Sequence, residues 1–456
     1  MRKEMFNHEI TILRDTYRRL LRRNAKINLK KLTGKTHPAD LAEVFRHFSN
    51  EEQIKIFSLM KENEHAAEFL VELDDALVIE LLENESYDRI ATIIEKAPTN
   101  DQSGILNILE NEKAQSIIEL LNAEEQEEIA EIMGYPDDSA GTLMNTEVFT
   151  LHESITAGEA IQTLQDQEGA EMVFYLYITD DDDRLVGVIS LRALTTTPSS
   201  TKLKDIMIKN IHSIRPETDQ EDVAKIVAQY NFLAVPVLDS DSKLLGIVTV
   251  DDVVDVIREE ATEDFLRMAG AGKDREILLK SSWENAKTRL PWLFASWIGG
   301  IVAASIIGAF ENMLANIVAL AAFIPVILGM GGNIATQSST IIVRGMATGR
   351  VNIGGEIKLI FKEIKVGLIL GSLYGILLGV FAKFTFTSAP DNLGFVVGLS
   401  ICTSMIIAAT VGTIIPLILR KLDIDPAIAT GPFVTTSIDI LGVLFYFLIA
   451  GIFLKI

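Results

Sequence analysis

Five apolar segments lie in the last part of the sequence, at approximately 291–310, 313–343, 366–386, 393–419 and 427–454. Each has about the 20 residues that a helix needs to cross a lipid bilayer. Residues 291–456 hold only 9 Lys and Arg and 7 Asp and Glu, whereas residues 1–290 hold 32 and 56. We therefore predict a membrane domain of five helices that follows a large, acidic, soluble region.

The charges between the segments predict how the chain crosses the membrane. Basic residues precede the first segment, lie between the second and third, and follow the fourth, but the other two connections hold one basic residue between them. Because basic connections stay on the cytoplasmic side, the amino terminus is predicted inside and the carboxyl terminus outside. Residues 1–35 lack the apolar core of a secretory signal, which also favours a cytoplasmic soluble region. The single cysteine, Cys402, allows no disulfide within the chain.

The soluble region changes from basic to acidic along its length. Residues 1–35 are interpreted as a basic arm, either a solvated helix face or a contact for anionic lipid. Residues 36–135 have the pattern of short amphipathic helices and are predicted to form a helical superhelix. Residues 51–150 hold 25 acidic and 5 basic side chains, so the compact state is expected to need cations that offset the repulsion. Seven basic residues of the arm stand at roughly helical spacing: Arg18, Arg19, Arg22, Arg23, Lys26, Lys30 and Lys31.

An internal repeat follows the acidic helices. Residues 172–194 and 231–253 share an order of apolar strand, acidic turn, apolar strand and helix start, and each copy follows a helix-like stretch. This β-α-β-β-α order in tandem resembles a pair of cystathionine-β-synthase (CBS) domains, placed at 136–200 and 201–264. The resemblance implies α/β sensor domains that bind a ligand. The charged residues 265–290 are predicted to form a connecting helix before the membrane.

One carboxylate, Asp439, is predicted near the middle of an apolar segment. The other six after residue 290, Glu363 among them, are assigned to segment ends or connections. A carboxylate at membrane depth costs several kcal/mol and usually faces a water-filled path, a cation or a partner. The nearby Gly431 and Pro432 are expected to interrupt the helix, and Thr435 adds an oxygen donor. Such oxygens favour a hard cation, although a buried, protonated or paired Asp439 is the alternative.

A second polar stretch, "PVILGMGGNIATQSST" at 325–340, lies within the second apolar segment. Its glycines are expected to break the helix, and irregular backbone at membrane depth is tolerated only beside a cavity or inside protein. Gly332 and Asn333 would then line a polar path. The alternative is that the glycines only allow close helix packing.

A cluster of acidic residues at 250–264 precedes the membrane domain. Helical spacing puts Asp252, Asp255 and Glu259 on one face, and Glu260, Glu263 and Asp264 on a neighbouring face. Like charges so placed repel, which predicts bound cations, although a solvated acidic helix is the simpler interpretation. The sequence has none of the motifs HExxH, GxxxxGK[ST] or GxSxG, so we do not expect an enzyme.

Taken together, these motifs resemble the MgtE family of magnesium channels. The resemblance rests on "PVILGMGGNIATQSSTIIVRG", "DPAIATGPFVTTSID", "VDDVVDVIREEATED" and the tandem CBS-like repeat, and it extends over nearly the whole chain. It implies a homodimer in the lipid of the bacterial cytoplasmic membrane, with an acidic N domain, two CBS domains, a plug helix and a five-helix pore. It also implies that Mg²⁺ is both transported and regulatory, that ATP is a possible ligand of the CBS domains, and that no nucleic acid is bound.

The resemblance also implies two sets of ion-binding residues. Intracellular Mg²⁺ would bind the second set and close the pore. The pore set is Asp439, Gly332, Asn333 and Thr435, and the sensor set is Glu68, Asp101, Asp219, Glu221, Asp252, Asp255, Glu260, Glu263 and Asp264.

Some positions depart from the family pattern. Asn100 and Asn231 stand where acidic residues are common, with Asp101 adjacent to the first, and Ala335 and Thr336 replace a glycine-containing stretch. Thr435 stands where a small apolar residue is common. Two other functions stay open at this point: a coupled transporter of divalent cations such as Co²⁺ or Mn²⁺, and a membrane sensor of adenine nucleotides that transports nothing.

Overall fold

A computed structural model describes residues 2–166, 174–271, 281–351, 355–422, 424–429 and 431–454. The chain divides into two compact units, Met1–Arg258 and Glu259–Ile456. The first contains short helices followed by two small sheets, and the second contains the long apolar helices.

The first unit begins with short helices whose apolar faces share one core, in which Leu82 and Ile129 are fully buried. Several helices start at side chains that cap their free amide groups. Ser49 with Glu52, and Asn122 with Glu125, form capping boxes in which each side chain accepts a bond from the backbone of the other residue. The helices are α1 Arg2–Arg22, α2 Lys26–Thr33, α3 Pro38–Phe45, α4 Asn50–Phe57, α5 Asn63–Val71, α6 Asp75–Glu83, α7 Tyr87–Ile94, α8 Thr99–Ile108, α9 Asn111–Ile118 and α10 Ala123–Ile132.

The residues interpreted as a basic arm contribute to this same core. Tyr17 is fully buried, Leu29 is almost fully buried, and both pack with the apolar side chains of the following helices. The Tyr17 hydroxyl lies 3.4 Å from Thr33 Oγ1 and 3.3 Å from Thr36 Oγ1. Helices α1 and α2 therefore form a hairpin that is fixed to the helical domain.

The two repeats each form a small α/β layer. In the first, β1 runs parallel to β2, and β2 pairs antiparallel with β3. In the second, β4 and β5 are antiparallel, and a parallel bridge between Ile214 and Val237 stands in the place of the first strand. The elements are α11 Ala140–Leu143, β1 Thr150–His152, α12 Ala157–Asp166, β2 Tyr175–Thr179, β3 Leu185–Ser190, α13 Leu191–Thr196, α14 Leu203–Ile206, α15 Gln220–Tyr230, β4 Ala234–Leu238, β5 Leu244–Thr249 and α16 Val250–Met268.

The acidic turns of the two repeats have the same structure. Asp180 Oδ1 accepts the amide hydrogens of Asp182 and Arg184, at 2.9 and 3.0 Å. Asp239 Oδ1 likewise accepts from Asp241 and Lys243, at 2.9 and 2.8 Å. These carboxylates hold the turns between paired strands, so the acidic pattern that the two copies share has a structural cause.

The second unit contains five helices that are long and apolar enough to span a membrane, counted over the described residues. Three of them are longer than the predicted apolar segments because they extend into charged flanking sequence, whereas the second and the fifth are shorter. The helices are α17 Ser282–Ala309, the short α18 Glu311–Asn316, α19 Ala319–Ala347, α20 Glu356–Thr385, α21 Leu393–Lys421 and α22 Pro432–Leu454, with a 3₁₀ turn at Pro426–Ala429.

The connecting helix predicted at 265–290 falls partly on residues 272–280, which lie outside the described residues. On one side, α16 ends at Met268 and Gly270 has a positive φ of 70°. On the other side, Ser281 and Glu284 form the capping box that starts α17. The residues before the first apolar segment, from Ser282 onward, therefore belong to the spanning helix α17.

Glycines bring the spanning helices into backbone contact. A Cβ atom added to Gly375 of α20 would lie 2.5 Å from the carbonyl oxygen of Gly398 in α21. One added to Gly412 of α21 would lie 2.4 Å from the carbonyl oxygen of Ala335 in α19. Small residues allow such approach between membrane helices, and they join α19, α20 and α21 into one packed group.

Candidate functional site

Helix α19 has an exposed polar stripe along one side. Pro325, Gly329, Asn333 and Gln337 recur every four residues, which places them on one face of the helix. The residues behind this face pack against neighbouring helices. The helix is continuous from Ala319 to Ala347, so the predicted break of the helix at its glycines is wrong. The backbone groups bond within the helix, and the polarity of this stretch lies in its side chains and glycine surfaces.

The three glycines of this stretch have different surroundings. A Cβ added to Gly329 or Gly332 would meet nothing within 4 Å. One added to Gly331 would lie 2.9 Å from Ile438 Cγ2 and 3.0 Å from Ser404 Oγ. Gly331 therefore serves close helix packing, whereas Gly329 and Gly332 leave bare backbone on the open face. The packing interpretation of the glycines therefore applies to Gly331, and the lining of a polar path by Gly332 stays a prediction.

Asp439 lies on α22, which begins at Pro432. The predicted interruption at Gly431 and Pro432 is therefore confirmed: a 3₁₀ turn at Pro426–Ala429 precedes it, and Pro432 occupies the first helical position of the spanning helix, where its missing amide is tolerated. Asp439 is half-buried. It makes no hydrogen bond or ion pair with any residue that the structure describes. Its neighbour Ile438 packs on Gly331, which puts Asp439 close to the level of Gly331 along α19.

The hydroxyl groups on the first turns of α22 bond to the helix itself. Thr435 Oγ1 donates to the carbonyl of Pro432 at 3.2 Å, and Ser437 Oγ donates to that of Phe433 at 2.8 Å. Their oxygen lone pairs remain available as acceptors. The role of Thr435 in a pore stays a prediction, as do those of Gly332 and Asn333.

Buried serines lie on α19 and α21, and the sequence pattern did not point to the two on α21. Ser404 of α21 is 2% exposed, and its Oγ has no hydrogen-bond partner in the described structure. It lies between α19 and α22, because Cβ atoms added to Gly331 and Gly442 would be 3.0 and 3.4 Å from it. Ser339 and Ser400 are also buried with unpartnered hydroxyls among the described atoms.

A second carboxylate, Glu363, lies inside a spanning helix. It is the eighth residue of α20, about 10 Å along the helix from Glu356, and only 5% exposed. Its Oε2 accepts a hydrogen bond of 2.9 Å from Ser338 Oγ on α19. Glu363 therefore lies near one end of a spanning helix, as the sequence assigned it, but it is buried against α19. This bond fixes the buried side of α19, next to Gln337.

We expect Glu363→Ala to destabilise the protein, because it leaves Ser338 without its partner and opens a cavity. The loss should be about 1–3 kcal/mol, measured as a lower temperature of unfolding in detergent. Glu363→Gln keeps an acceptor for Ser338 and should lose less. Glu356→Gln is the matched control on the same helix, since the ion pair of Glu356 with Lys421 is near the helix end and should contribute at most about 1 kcal/mol. An equal loss in Glu363→Ala and Glu356→Gln would contradict this role.

The end of α16 contacts the first residue of α22 and the residues that precede it. Arg267 forms ion pairs with Glu263 on its own helix and with Asp425 before the 3₁₀ turn. A Cβ added to Gly270 would lie 2.9 Å from Pro432 Cδ. Asp439 is seven residues, or about 10 Å, further along α22. A displacement of the end of α16 would therefore act directly on the helix that carries Asp439.

A cluster of acidic residues lies in the first unit, between the start of α8 and the start of α16. Asn100 Nδ2 donates to Asp252 Oδ1 at 3.2 Å, and the amide of Thr249 donates to Asp252 Oδ2 at 3.2 Å. Burial, and then the charges of Asp252, Asp251 and Asp255, raise the pKa of Asp101 to about 7. Burial also raises the pKa of Asp252, against the opposing effect of the Thr249 bonds. Two carboxylates are thus held together at a cost that a cation would offset.

This cluster predicts a pH-dependent stability. The folded pKa of Asp101 is about 7 and its ordinary value is 3.8, so the unfolded chain releases this proton first and stability falls as pH rises between these values. With a chelator present, we expect Asp101→Asn to stabilise the protein more at pH 8 than at pH 5, by about 2 kcal/mol. The measurement is thermal unfolding of the full chain. Asp88→Asn, at an exposed position of α7, should show no such difference, and a pH-independent effect of Asp101→Asn would contradict the assignment.

The structure separates the predicted sensor residues into groups. Asp101, Asp252 and Asp255 belong to one cluster, in which Asp255 also pairs with Arg258. Glu68 is exposed on α5 and stands apart from that cluster. Three further predicted sensor residues lie on α16, and none of them is without a partner: Glu260, Glu263 and Asp264.

Two of the predicted sensor residues have structural roles in the helix α15. Asp219 caps it by accepting the amide hydrogen of Glu221 at 2.8 Å, and Glu221 pairs with Lys225. Asn231 ends the same helix in the left-handed conformation, with φ 54°, which asparagine adopts more readily than glutamate. Among the described residues, no group of three or more His, Cys, Asp or Glu side chains is arranged to hold a metal ion directly.

These features define a class of protein: a multi-pass membrane protein whose five spanning helices follow a helical domain and two small α/β domains. Three family models match the chain. The divalent cation transporter model of MgtE matches residues 324–449, the MgtE intracellular N domain matches 36–138, and the CBS domain matches 140–198 and 203–259. The chain therefore belongs to the MgtE family of divalent cation transporters, as predicted.

The sequences of individual relatives align with most of the chain. It is 34% identical over 437 residues to the magnesium transporter MgtE of Bacillus subtilis, which covers 95% of this chain and 96% of that protein. It is 39% identical over 334 residues to the magnesium transporter MgtE of Enterococcus faecalis, 73% of each. A solved structure of the cytosolic domain of the Mg²⁺ channel MgtE in complex with ATP aligns with a TM-score of 0.51 and 31% identity, covering 53% of this chain and 99% of that one. The predicted fold class and the absence of an enzymatic role are confirmed by this membership.

Proposed function

We propose that this chain is a magnesium channel of the bacterial cytoplasmic membrane, and that two copies form one pore between their α19 and α22 helices. The observation that carries the proposal is the polar stripe of Gly329, Asn333 and Gln337 beside the half-buried Asp439. Hydrocarbon does not satisfy such groups, so polar residues of membrane helices face the bundle or water. A second copy facing the first would cover both stripes and enclose a polar path.

The residues on this face suit a cation that keeps most of its water. Mg²⁺ loses its water reluctantly and is usually held by few protein carboxylates. Asp439 supplies the charge, while the backbone at Gly332 and the amide of Asn333 offer polar contacts to bound water. No Lys or Arg lies in the middle of any of the described spanning helices, so the field along the path favours cations.

We propose further that cytosolic Mg²⁺ closes this pore. Ions that bridge Asp101 and Asp252, and the acidic residues at the end of α16, would favour the conformation in which these carboxylates are close. They shift the population only by their higher affinity for that conformation. The contact between the end of α16 and Pro432 gives this shift a route to α22.

Ion flux into proteoliposomes tests the transport proposal. Mg²⁺ entry should follow the electrochemical gradient, with no requirement for a proton or sodium gradient, and should fall when Mg²⁺ is raised on the face that carries the soluble domains. A dependence on an imposed proton or sodium gradient would instead support a coupled divalent-cation transporter. Competition by Co²⁺ and Mn²⁺ in the same assay measures selectivity.

ATP binding is a second candidate property of the CBS domains. The solved cytosolic domain of the related Mg²⁺ channel is a complex with ATP, and this chain has an exposed aromatic group in the second repeat. The Tyr230 ring stacks at 4.3 Å on His212 and at 5.4 Å on Phe232, and Tyr230 is 45% exposed. Such a surface suits stacking with a nucleobase. We expect Tyr230→Ala to weaken ATP binding about tenfold in calorimetry of the full chain, while Tyr87→Ala on α7 should not change it.

A further inference from the structure

The hairpin of α1 and α2 presents a basic surface on the outside of the helical domain. Its inner side is fixed by Tyr17, Leu21 and Leu29, which are buried in the core. The outer side carries cations and one exposed isoleucine. Six basic residues form this surface, and none pairs with an acidic side chain in the described structure: Arg19, Arg22, Arg23, Lys26, Lys30 and Lys31.

Ile27 lies in the middle of these cations. It follows Lys26 at the start of α2, and helical spacing places Lys30 and Lys31 beside it. It is 85% exposed, the highest value among the large apolar side chains of the described residues. Phe384, on a membrane-spanning helix, reaches 75%. If this surface were only a solvated charged face, nothing would favour an isoleucine that is so exposed to water.

An apolar residue surrounded by cations suits the surface of an anionic membrane. Lys and Arg are attracted by the negative headgroups, while the apolar side chain enters the boundary between headgroups and acyl chains. The chain carries its own membrane-spanning helices, so a bilayer is always within reach of the same molecule. An acidic protein surface would match the cations but would leave Ile27 without an apolar environment.

We propose that the surface formed by α1 and α2 docks on the anionic phospholipids of the membrane that holds the protein, with Ile27 inserted at the headgroup level. The cations give the attraction, and the fixed hairpin presents Ile27 at a defined angle. This contact would restrain the helical domain next to the bilayer. It is independent of whether the five-helix domain conducts ions.

The test uses the full chain in lipid nanodiscs with an environment-sensitive fluorophore at position 27. The single native cysteine is removed as Cys402→Ala, and Ile27→Cys provides the attachment point. In discs that contain phosphatidylglycerol, emission should shift to the blue and protection from acrylamide should rise at least about threefold compared with phosphatidylcholine discs. High salt should reverse both effects.

Two variants control the test. The triple change Lys26→Glu, Lys30→Glu and Lys31→Glu should abolish the shift while leaving the buried side of the hairpin unchanged. Val71→Cys carries the label on α5, at an exposed apolar position beside Glu72, and should show no dependence on lipid charge. A label at position 27 that is equally exposed in both lipids would overturn the proposal. One that is equally protected in both would also overturn it, because protein rather than anionic lipid would then cover Ile27.

Discussion

Replacement of Asp439 by alanine is expected to abolish Mg²⁺ uptake while the protein remains folded. Asp439 is the carboxylate of the proposed pore face and has no cationic partner among the described residues. Removing it takes away the charge that offsets the cost of bringing an ion between apolar helices. We expect uptake into proteoliposomes to fall at least tenfold, which corresponds to a barrier increase of about 1.4 kcal/mol or more.

Two further substitutions separate charge from shape. Asp439→Asn keeps the size of the side chain without its charge and should be nearly as inactive as alanine, whereas Asp439→Glu should retain part of the flux. Ser437→Ala is the matched control on the same turns of α22, because the Ser437 hydroxyl already bonds to the carbonyl of Phe433. Normal uptake by Asp439→Ala, with an unchanged elution profile, would remove Asp439 from the pore.

The sequence predicted the features that depend on composition and spacing. The five spanning helices follow from apolar length, the CBS pair from a repeated pattern of strands, and the position of Asp439 inside a spanning helix from the apolar sequence on both sides of it. Each of these features could be predicted because the residues that indicate it lie within one continuous stretch of sequence. The family membership adds the same organisation from independent matches.

The burial of Glu363 was not predicted, for an identifiable reason. Glu363 stands between Lys362 and Lys365, and this charged stretch looks like a connection in a hydropathy pattern. The lysines are exposed, while Glu363 faces the interior of the same helix. To predict that one carboxylate of a charged helix end is buried, the residue that faces it must be known. That residue is Ser338, which lies 25 positions away in the sequence.

The glycine stretch of α19 shows a different limit. Three glycines in four positions argued against a regular helix, because glycine lowers helix propensity in water. In a membrane, unpaired backbone groups cost several kcal/mol each, so the helix persists in spite of its composition. Which glycine packs and which is open depends on Ile438 and Ser404, on two other helices.

Neutralising the acidic residues of α16 is expected to leave the channel open at Mg²⁺ concentrations that close the wild type. The variant combines Asp252→Asn, Asp255→Asn and Glu263→Gln, and its inhibition by Mg²⁺ in patch recordings should shift by at least tenfold. The reason is linkage: without carboxylates that bind the ion better in one conformation, Mg²⁺ has no differential affinity with which to shift the population.

The three positions of this variant act through different contacts, which makes the result interpretable. Asp252 accepts a hydrogen bond from Asn100 within the acidic cluster, whereas Glu263 pairs with Arg267 at the end of α16. If the Asp252 and Asp255 changes alone reproduce the shift, the cluster with Asp101 is the sensor. If only Glu263→Gln does so, regulation lies at the contact with α22. Asp222→Asn, which removes an acidic partner of Lys225 on α15, should leave inhibition unchanged, and unchanged inhibition in the triple variant would rule out α16 as the site of the gate.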